Sequence, residues 1–388
     1  MTRVQKNLLC IITLTFTLYG ALARGLPVAT REYNTAAQWV VIGAGPAGII
    51  IVGLLLDLGT DPKNIIWIDP EFSVGRMGKY YNNVPGNVKT KHLIEFINSC
   101  KTFQEVSSPA ITQLHRLDME EEYPLKVIVQ PLQEITYYLC ERVLSCQSAL
   151  LALSFENDLW RVETKDKTFT ASHVILATGS HPKRLDYDCK QDIPLDLALD
   201  KNVLEQAVNE EDTVGVIGSG QSAILLLKHL SEINVGRVIN FWKHPIDFEN
   251  PESGLKGITA RWAKEVLLKT PPLNLIRIYN TCETLEAWIP ICTKIIYAVG
   301  FERNDIPLHC DNEKLNFDDR NGIIGPRLFG IGIAFPEKIE DEKGKLTARI
   351  GLVSFMEYAQ QILPVWMATR ESLNKYKLFD DLLTIDIL

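Results

Sequence analysis

The chain has 388 residues, 46% of them hydrophobic and 23% charged, ample for more than one globular core. Its net charge is −8 and it has no basic run interleaved with aromatics, so nucleic acid is excluded as a partner. Its eight cysteines include no CxxC and follow no regular spacing, and its seven histidines are scattered, so neither a disulfide framework nor a metal site is expected.

At the N-terminus, Arg3 and Lys6 precede an apolar stretch from Leu8 to Tyr19, and Ala21-Leu22-Ala23 follows. Residues 1–23 read as a secretory signal peptide, which implies a secreted, periplasmic or lumenal protein. The alternative reading is an uncleaved anchor that associates with a membrane, although the stretch is short against the roughly 20 residues of a span.

The first strong pattern is WVVIGAGPAGI. Val40, Val41 and Ile42 read as a buried parallel strand, and Gly43, Gly45 and Gly48 as a dinucleotide-binding turn. The first glycine permits the tight turn, the second lets a diphosphate approach the backbone, and the third lets the helix pack on the strand. Pro46 suits the first helical turn, and Ala47, Ile50, Ile51, Leu54 and Leu55 give the helix an apolar face. A second strand, Ile65 to Ile68, ends at Asp69. A carboxylate there can accept from ribose hydroxyls, and this reading of Asp69 is preferred to that of a turn residue before Pro70.

Next comes GRMGKYYNNVPGN, then a helix expected over Lys91 to Cys100 and another over 131–146. Leu150 to Phe155 and Leu159 to Thr164 read as a hairpin. The strand Thr168 to Leu176 runs into Ala177-Thr178-Gly179, and a polar connection follows to about Asp200.

The second pattern is TVGVIGSGQSAI, with Gly218, Gly220 and Ala223 in the three turn positions. Val214, Val216 and Ile217 form its strand; Ile224, Leu225, Leu226 and Leu230 lie on its helix. The next strand, Val238 to Phe241, ends in Trp242, Lys243 and His244, with no acid. A cation there suits a 2′-phosphate and favours NADPH over NADH; Lys243 reads equally as a solvated surface lysine. A helix is expected over Thr259 to Leu268, then strands over Asn274 to Tyr279 and Thr293 to Tyr297, the latter entering Ala298-Val299-Gly300. A strand from Leu328 to Gly332 and an apolar helix from Leu352 to Leu363 return the chain to the first domain. Two such turns imply two nucleotide cofactors held face to face and electron transfer between them.

In this order, VVIGAGPAGI, HVILATGSHPKRL, VGVIGSGQSAI and IIYAVGF resemble the two-dinucleotide-binding-domain flavoproteins. Within them the chain is most similar to the flavin-containing monooxygenases and the lysine and ornithine N-hydroxylases. The resemblance implies an α/β fold: a three-layer Rossmann-like FAD-binding domain (37–190 plus 299–370) with a smaller Rossmann-like NAD(P)-binding domain (205–298) inserted. It implies that Gly43, Ala44, Gly45, Pro46, Ala47 and Gly48 cradle the FAD diphosphate and that Asp69 holds its ribose. Met77 and Gly78 would line the flavin ring, Thr178 and Gly179 would lie near the cofactors at the hinge, and Gly330 would meet the flavin from the last strand. Gly218, Ser219, Gly220, Gln221 and Ser222, with Lys243, would bind NADPH or NADH. Asn82 and Asn83 are catalytic candidates, because an asparagine there can hydrogen-bond a flavin peroxide or the nicotinamide amide; plain turn chemistry is the alternative.

The implied activity is hydride transfer from NAD(P)H to FAD and onward to oxygen and a small nucleophilic substrate. Three features depart from the family pattern, the first being a short second domain that lacks much of the insertion that often builds a substrate site. The linker signature FxGxxxH is absent from Ile193 to Val203, and FGIGIAFPE lacks the aspartate that many relatives carry after the last glycine. These departures leave open a reductase passing electrons to a quinone or protein, and a non-enzymatic dinucleotide-binding protein. Thioredoxin-reductase-like chemistry needs a cysteine pair at the flavin, and none is spaced for it.

Overall fold

Trp39-Val40-Val41-Ile42 is buried throughout, as a strand between two parallel neighbours must be. It ends β1 (Ala36–Ile42), which pairs in parallel with β2 (Ile65–Asp69) on one side and β8 (Thr168–Leu176) on the other. The computed structural model describes residues 35–368, apart from 186, 188–190, 250–253, 305, 311–314, 341–343 and 345. The expected signal or anchor over 1–23 therefore lies outside the described residues. Among those described, no helix is long and apolar enough to cross a membrane.

Beyond β2 the sheet continues in parallel to β5 (Leu144–Gln147). Beyond β8 it continues through the antiparallel hairpin of β7 (Leu159–Thr164) and β6 (Leu150–Glu156), whose turn holds Asn157 and Asp158 at positive φ. The strand β15 (Leu308–Cys310) extends the β6 edge. β17 (Leu328–Gly330), itself paired with β16 (Ile323–Gly325), joins the C-terminal end of β8 in parallel and completes nine strands.

A second sheet, all parallel, has the order β12 (Leu275–Tyr279), β11 (Arg237–Trp242), β10 (Thr213–Ile217), β13 (Lys294–Tyr297). Three short ribbons stand apart: β3 (Pro85–Lys89) with β4 (Glu122–Pro124), β9 (Ser180–Pro182) with β14 (Phe301–Arg303), and β18 (Lys338–Glu340) with β19 (Leu346–Ala348). The β9–β14 ribbon follows β8 of one sheet and β13 of the other, so it joins the two. The fold is the expected mixed α/β arrangement with Rossmann-like parallel sheets.

The glycine turns each open a helix. The first, α1 (Pro46–Asp57), is apolar on every side because the sheet and other helices enclose it. Gly53 shows how close they come: a Cβ there would lie 2.5 Å from the Phe103 ring. The helices α2 (Gly75–Tyr80), α3 (Thr90–Asn98) and α4 (Lys126–Arg142) follow. A short α5 (Leu195–Ala198) lies in the connection to the second sheet, whose turn opens α6 (Gln221–Ser231). The last helix, α7 (Leu352–Ala368), packs on α1.

Two expectations need correction. The helix expected over 131–146 starts earlier and stops at Arg142, so Cys146 lies in β5 rather than on a helix with Cys140. Pairing with the edge of β2 outweighs the local helical pattern there. The helix expected over Thr259 to Leu268 begins at Gly257 and passes into a π-helical turn at Ala263–Leu267.

Candidate dinucleotide sites

The two glycine turns repeat one another in detail. Gly43 donates its N–H to Ile68 O at 2.8 Å, and Gly218 donates to Phe241 O at 2.9 Å. On the other side, Ala177 donates to Ile42 O and Ala298 to Ile217 O, each at 2.8 Å. Gly43 has φ +105° and Gly218 φ +134°, and a Cβ on either would come within 2.2 Å of the carbonyl oxygen of Ala177 or Ala298. Only glycine fits these positions. The third position of the first turn is as tight, since a Cβ on Gly48 would meet Gly43 O at 1.9 Å. In the second turn the fully buried Ala223 takes that place.

The second glycine behaves differently in both turns. A Cβ on Gly45 would have no neighbour nearer than 4.0 Å, and one on Gly220 would meet nothing within 4 Å. Gly45 has the ordinary extended φ of −76°. Packing and backbone conformation therefore do not require glycine at these two positions. The remaining reason for it is room for something the protein itself does not supply, as a diphosphate at a helix N-terminus needs.

Around the first turn lies a cavity of about 410 Å³. It brings together Gly43, Gly45 and Pro46 from the turn, Asp69 from β2, Arg76 and Met77 from α2, and Thr178 and Gly179 after β8. Its lining also includes residues that the sequence did not single out: Val88 and Leu93, Leu125 and Ile128, and Leu352 and Phe355 of α7. The hydroxyl Oγ1 of Thr178 and Nε of Arg76 are buried without a hydrogen-bond partner. Orphaned polar atoms beside an open glycine turn fit a bound dinucleotide that carries both phosphates and hydroxyls.

Several sequence-predicted residues have other work in this structure. Asp69 lines the cavity, but its Oδ2 accepts from Ala44 N at 2.7 Å and its Oδ1 from Glu71 N and Phe72 N at 2.8 and 2.6 Å. The carboxylate thus braces a turn in which Phe72 and Val74 hold φ of +50° and +59°. Ala47 abuts Gly332, where a Cβ would approach within 2.6 Å. Gly78 faces Ser73 O, and Gly330 faces the Phe335 ring, so both are packing glycines and neither lines the cavity.

Asn82 and Asn83 do not line the cavity either. The Asn82 amide donates to Gly78 O and closes α2, while Asn83 donates to Asp200 Oδ2 at 2.7 Å. In the second turn, Ser219 and Ser222 flank Gly220 and are half-buried. The Gln221 side chain clamps the Lys256 backbone, accepting from its N–H at 3.1 Å and donating to its carbonyl at 3.3 Å. Lys243 is exposed just beyond the end of β11.

Some supporting residues were missed. Trp67 stands opposite Val41 in β1, and its Nε1 donates to Gly43 O at 2.9 Å. Asn240 stands opposite Val216 in β10, and its Nδ2 donates to Gly218 O at 2.8 Å. Both occupy the same place in their units and hold the carbonyl of the first glycine. A lone asparagine in the apolar run VINFW was the available signal, since a buried amide must have partners.

At the joining ribbon, Asn304 donates to Thr178 O at 2.7 Å, and the two ring nitrogens of His181 face Asn304 Oδ1 at 2.8 Å and Glu302 Oε1 at 3.1 Å. Arg76 and the Tyr81 hydroxyl both reach the Asp196 carboxylate, tying α2 to α5. Burial is the main cause that raises the Tyr81 pKa above its usual range.

The described cysteines stay away from this chemistry. None lines the cavity, and burial pushes the thiols of Cys100 and Cys140 up to about 12 and raises that of Cys146. Among the described residues no cluster could hold a metal ion.

Residues 37–239, more than half of the chain, match the family model for pyridine nucleotide-disulphide oxidoreductases. A curated relative, monooxygenase AgnR1 from Paecilomyces divaricatus, is 27% identical over 383 residues, covering 85% of this chain and 97% of its own. Among solved structures, the bacillithiol disulfide reductase Bdr of Staphylococcus aureus has a TM-score of 0.58 at 10% identity, over 87% of this chain and 99% of its own. A flavin-containing monooxygenase from Stenotrophomonas maltophilia has a TM-score of 0.55 at 15% identity, over 86% of this chain and 98% of its own. At these identities the structures share the fold.

Proposed function

We propose that this chain, which belongs to the pyridine nucleotide-disulphide oxidoreductase family, is an FAD-dependent oxidoreductase of the monooxygenase type that consumes NAD(P)H. The balanced reaction takes a hydride from NAD(P)H and a proton from solvent. One atom of dioxygen goes to a small nucleophilic substrate and the other leaves as water. The observation that carries this reading is the repeated turn, in which only the second glycine opens onto free space. The near full-length similarity to a monooxygenase favours oxygen as the acceptor. Disulfide chemistry is disfavoured because the buried thiols carry raised pKa values and none of the described cysteines lines the cavity.

In this reading, residues 37–190 with 299–370 form the FAD domain and 205–298 the nicotinamide domain. FAD, when bound, supplies a two-electron acceptor for hydride. The chain's own residues bind and orient. The first turn would offer backbone N–H groups to the diphosphate, and Thr178 Oγ1 and Arg76 would supply donors from the cavity wall. Leu93, Ile128, Leu352 and Phe355 would exclude water from the reacting centre. The second turn would hold the nicotinamide nucleotide, with Asn240 bracing it. Residues 1–23 would direct the chain to a secretory compartment or anchor it, which N-terminal sequencing of the mature protein would decide.

The test is the absorption spectrum of purified protein before and after anaerobic NADPH, followed by air and product mass. A yellow protein bleached by NADPH, with one oxygen atom gained by a substrate, is the expected result. Hydrogen peroxide without an oxygenated product overturns the oxygenase assignment. A colourless protein that refuses added FAD overturns the whole reading.

A further inference from the structure

One cation stands between the two nucleotide units. Arg76 is the second residue of α2, whose N-terminus abuts the first turn: a Cβ on Gly75 would meet Gly45 Cα at 3.0 Å. Arg76 lines the cavity, and its Nε is buried without a hydrogen-bond partner. Another donor of the guanidinium, Nη2, reaches Asp196 Oδ2. The other oxygen of that carboxylate accepts from the Tyr81 hydroxyl.

Asp196 does not line the cavity, and its side chain is only 10% exposed. It belongs to the second unit. Its neighbours on α5, Leu195 and Ala198, are buried in one core with Val214 and Val216 of β10. Just upstream, Ile193 donates its N–H to Ile295 O of β13 at 2.9 Å. A carboxylate fixed to the second sheet therefore holds a cation that faces the cavity of the first. Glu122 and Arg261 also join the two units, at 3.4 Å, but neither lines the cavity. The pair of Arg76 with Asp196 differs because it leaves a buried N–H of the same guanidinium unused, and a buried donor needs an acceptor.

We propose that Asp196 is a positioning residue for the flavin: it holds the Arg76 guanidinium in the pose that leaves its Nε–H for the bound dinucleotide, so that FAD affinity depends on the second unit being docked. The inference rests on the reading of the first turn as the FAD site and deepens it. A planar guanidinium suits the task, because it presents donors that two partners can use together. Linkage makes the coupling reciprocal: FAD that engages Arg76 tightens the second unit on the first.

The test is FAD titration of the full-length apoprotein by fluorescence quenching, arranged as a double-mutant cycle. Arg76→Gln is expected to weaken FAD binding by at least about tenfold, and Asp196→Asn by about tenfold although Asp196 lies outside the cavity. The double variant is expected within about twofold of Arg76→Gln, because Asp196 acts only through the arginine. Glu122→Gln, which releases a different contact between the same units, is expected within about twofold of the wild type. Hydrogen exchange reads the reciprocal effect: saturating FAD is expected to slow exchange at the α5 amides of the wild type and not at those of Arg76→Gln. The exchange measurement needs only the partly exposed Arg76 replaced, so it decides the matter should Asp196→Asn misfold. Wild-type affinity in Asp196→Asn, losses that multiply in the double variant, an equal loss in Glu122→Gln, or α5 protection that survives Arg76→Gln overturns the positioning role and leaves the flavin reading standing. A wild type that refuses FAD overturns both.

Discussion

Gly43 and Gly45 are two residues apart in one motif, yet the structure assigns them opposite sensitivities. Gly43→Ala places a methyl within 2.2 Å of Ala177 O on a backbone at φ +105°. The conformation alone costs about 1–3 kcal/mol, and the overlap with a main-chain atom adds to it. A loss of about 3 kcal/mol lowers the melting temperature of a chain of this length by roughly 4 °C. Gly45→Val meets no protein atom nearer than 4.0 Å at its Cβ and needs no unusual φ, so the flavin-free protein should keep its stability to within about 0.5 kcal/mol. The branched side chain instead fills the space before the helix N-terminus, and flavin affinity should fall by at least about a hundredfold, some 2.7 kcal/mol. Thermal melts of both apoproteins and flavin titration by fluorescence quenching separate the effects. Gly45→Val binding FAD like the wild type refutes the cradle, and Gly43→Ala melting like the wild type refutes the packing argument.

Thr178→Val should act in two opposite directions. Losing a buried hydroxyl that has no partner should leave the apoprotein unchanged or up to about 1 kcal/mol more stable, while flavin binding weakens about tenfold; the same melts and titrations read both. Asn82→Ala and Asn83→Ala should leave flavin affinity within about twofold of wild type, because neither residue lines the cavity; loss of the α2 closure by Asn82 should cost about 1 kcal/mol in a melt. His229 is buried in α6, and burial lowers its pKa to about 4. It stays neutral when folded and protonates near 6.5 when unfolded. Stability is therefore full above pH 6.5 and declines as pH falls toward 4, by up to about 3 kcal/mol. His229→Leu should flatten that part of the pH–stability profile, and equal slopes in denaturant melts at pH 7.5 and 4.5 would count against it.

Much of the architecture was legible because it rests on local pattern. A buried β-branched run, a glycine turn and an apolar helix follow from steric rules that act within about a dozen residues, so both units could be read from the order of residues alone. The hairpin around Asn157 and the strand from Thr168 to Leu176 were readable for the same reason. Gly330, Gly78, Asn82 and Asn83 looked like ligand residues because glycine and asparagine serve turns and cofactors alike. Their neighbours, Phe335, Ser73, the α2 carbonyl and Asp200, show that here they pack or close the chain.

The sequence by itself determined two strand–turn–helix units and their order, since those depend on backbone sterics and on hydrophobic periods that neighbouring residues carry together. Only the tertiary structure decided which glycine faces open space and which carboxylate is already occupied. Those properties belong to pairs of residues far apart in the chain. Gly43 with Ala177, Asp69 with Ala44 and Asn240 with Gly218 meet only because parallel strands bring them into register, and no local pattern records that meeting.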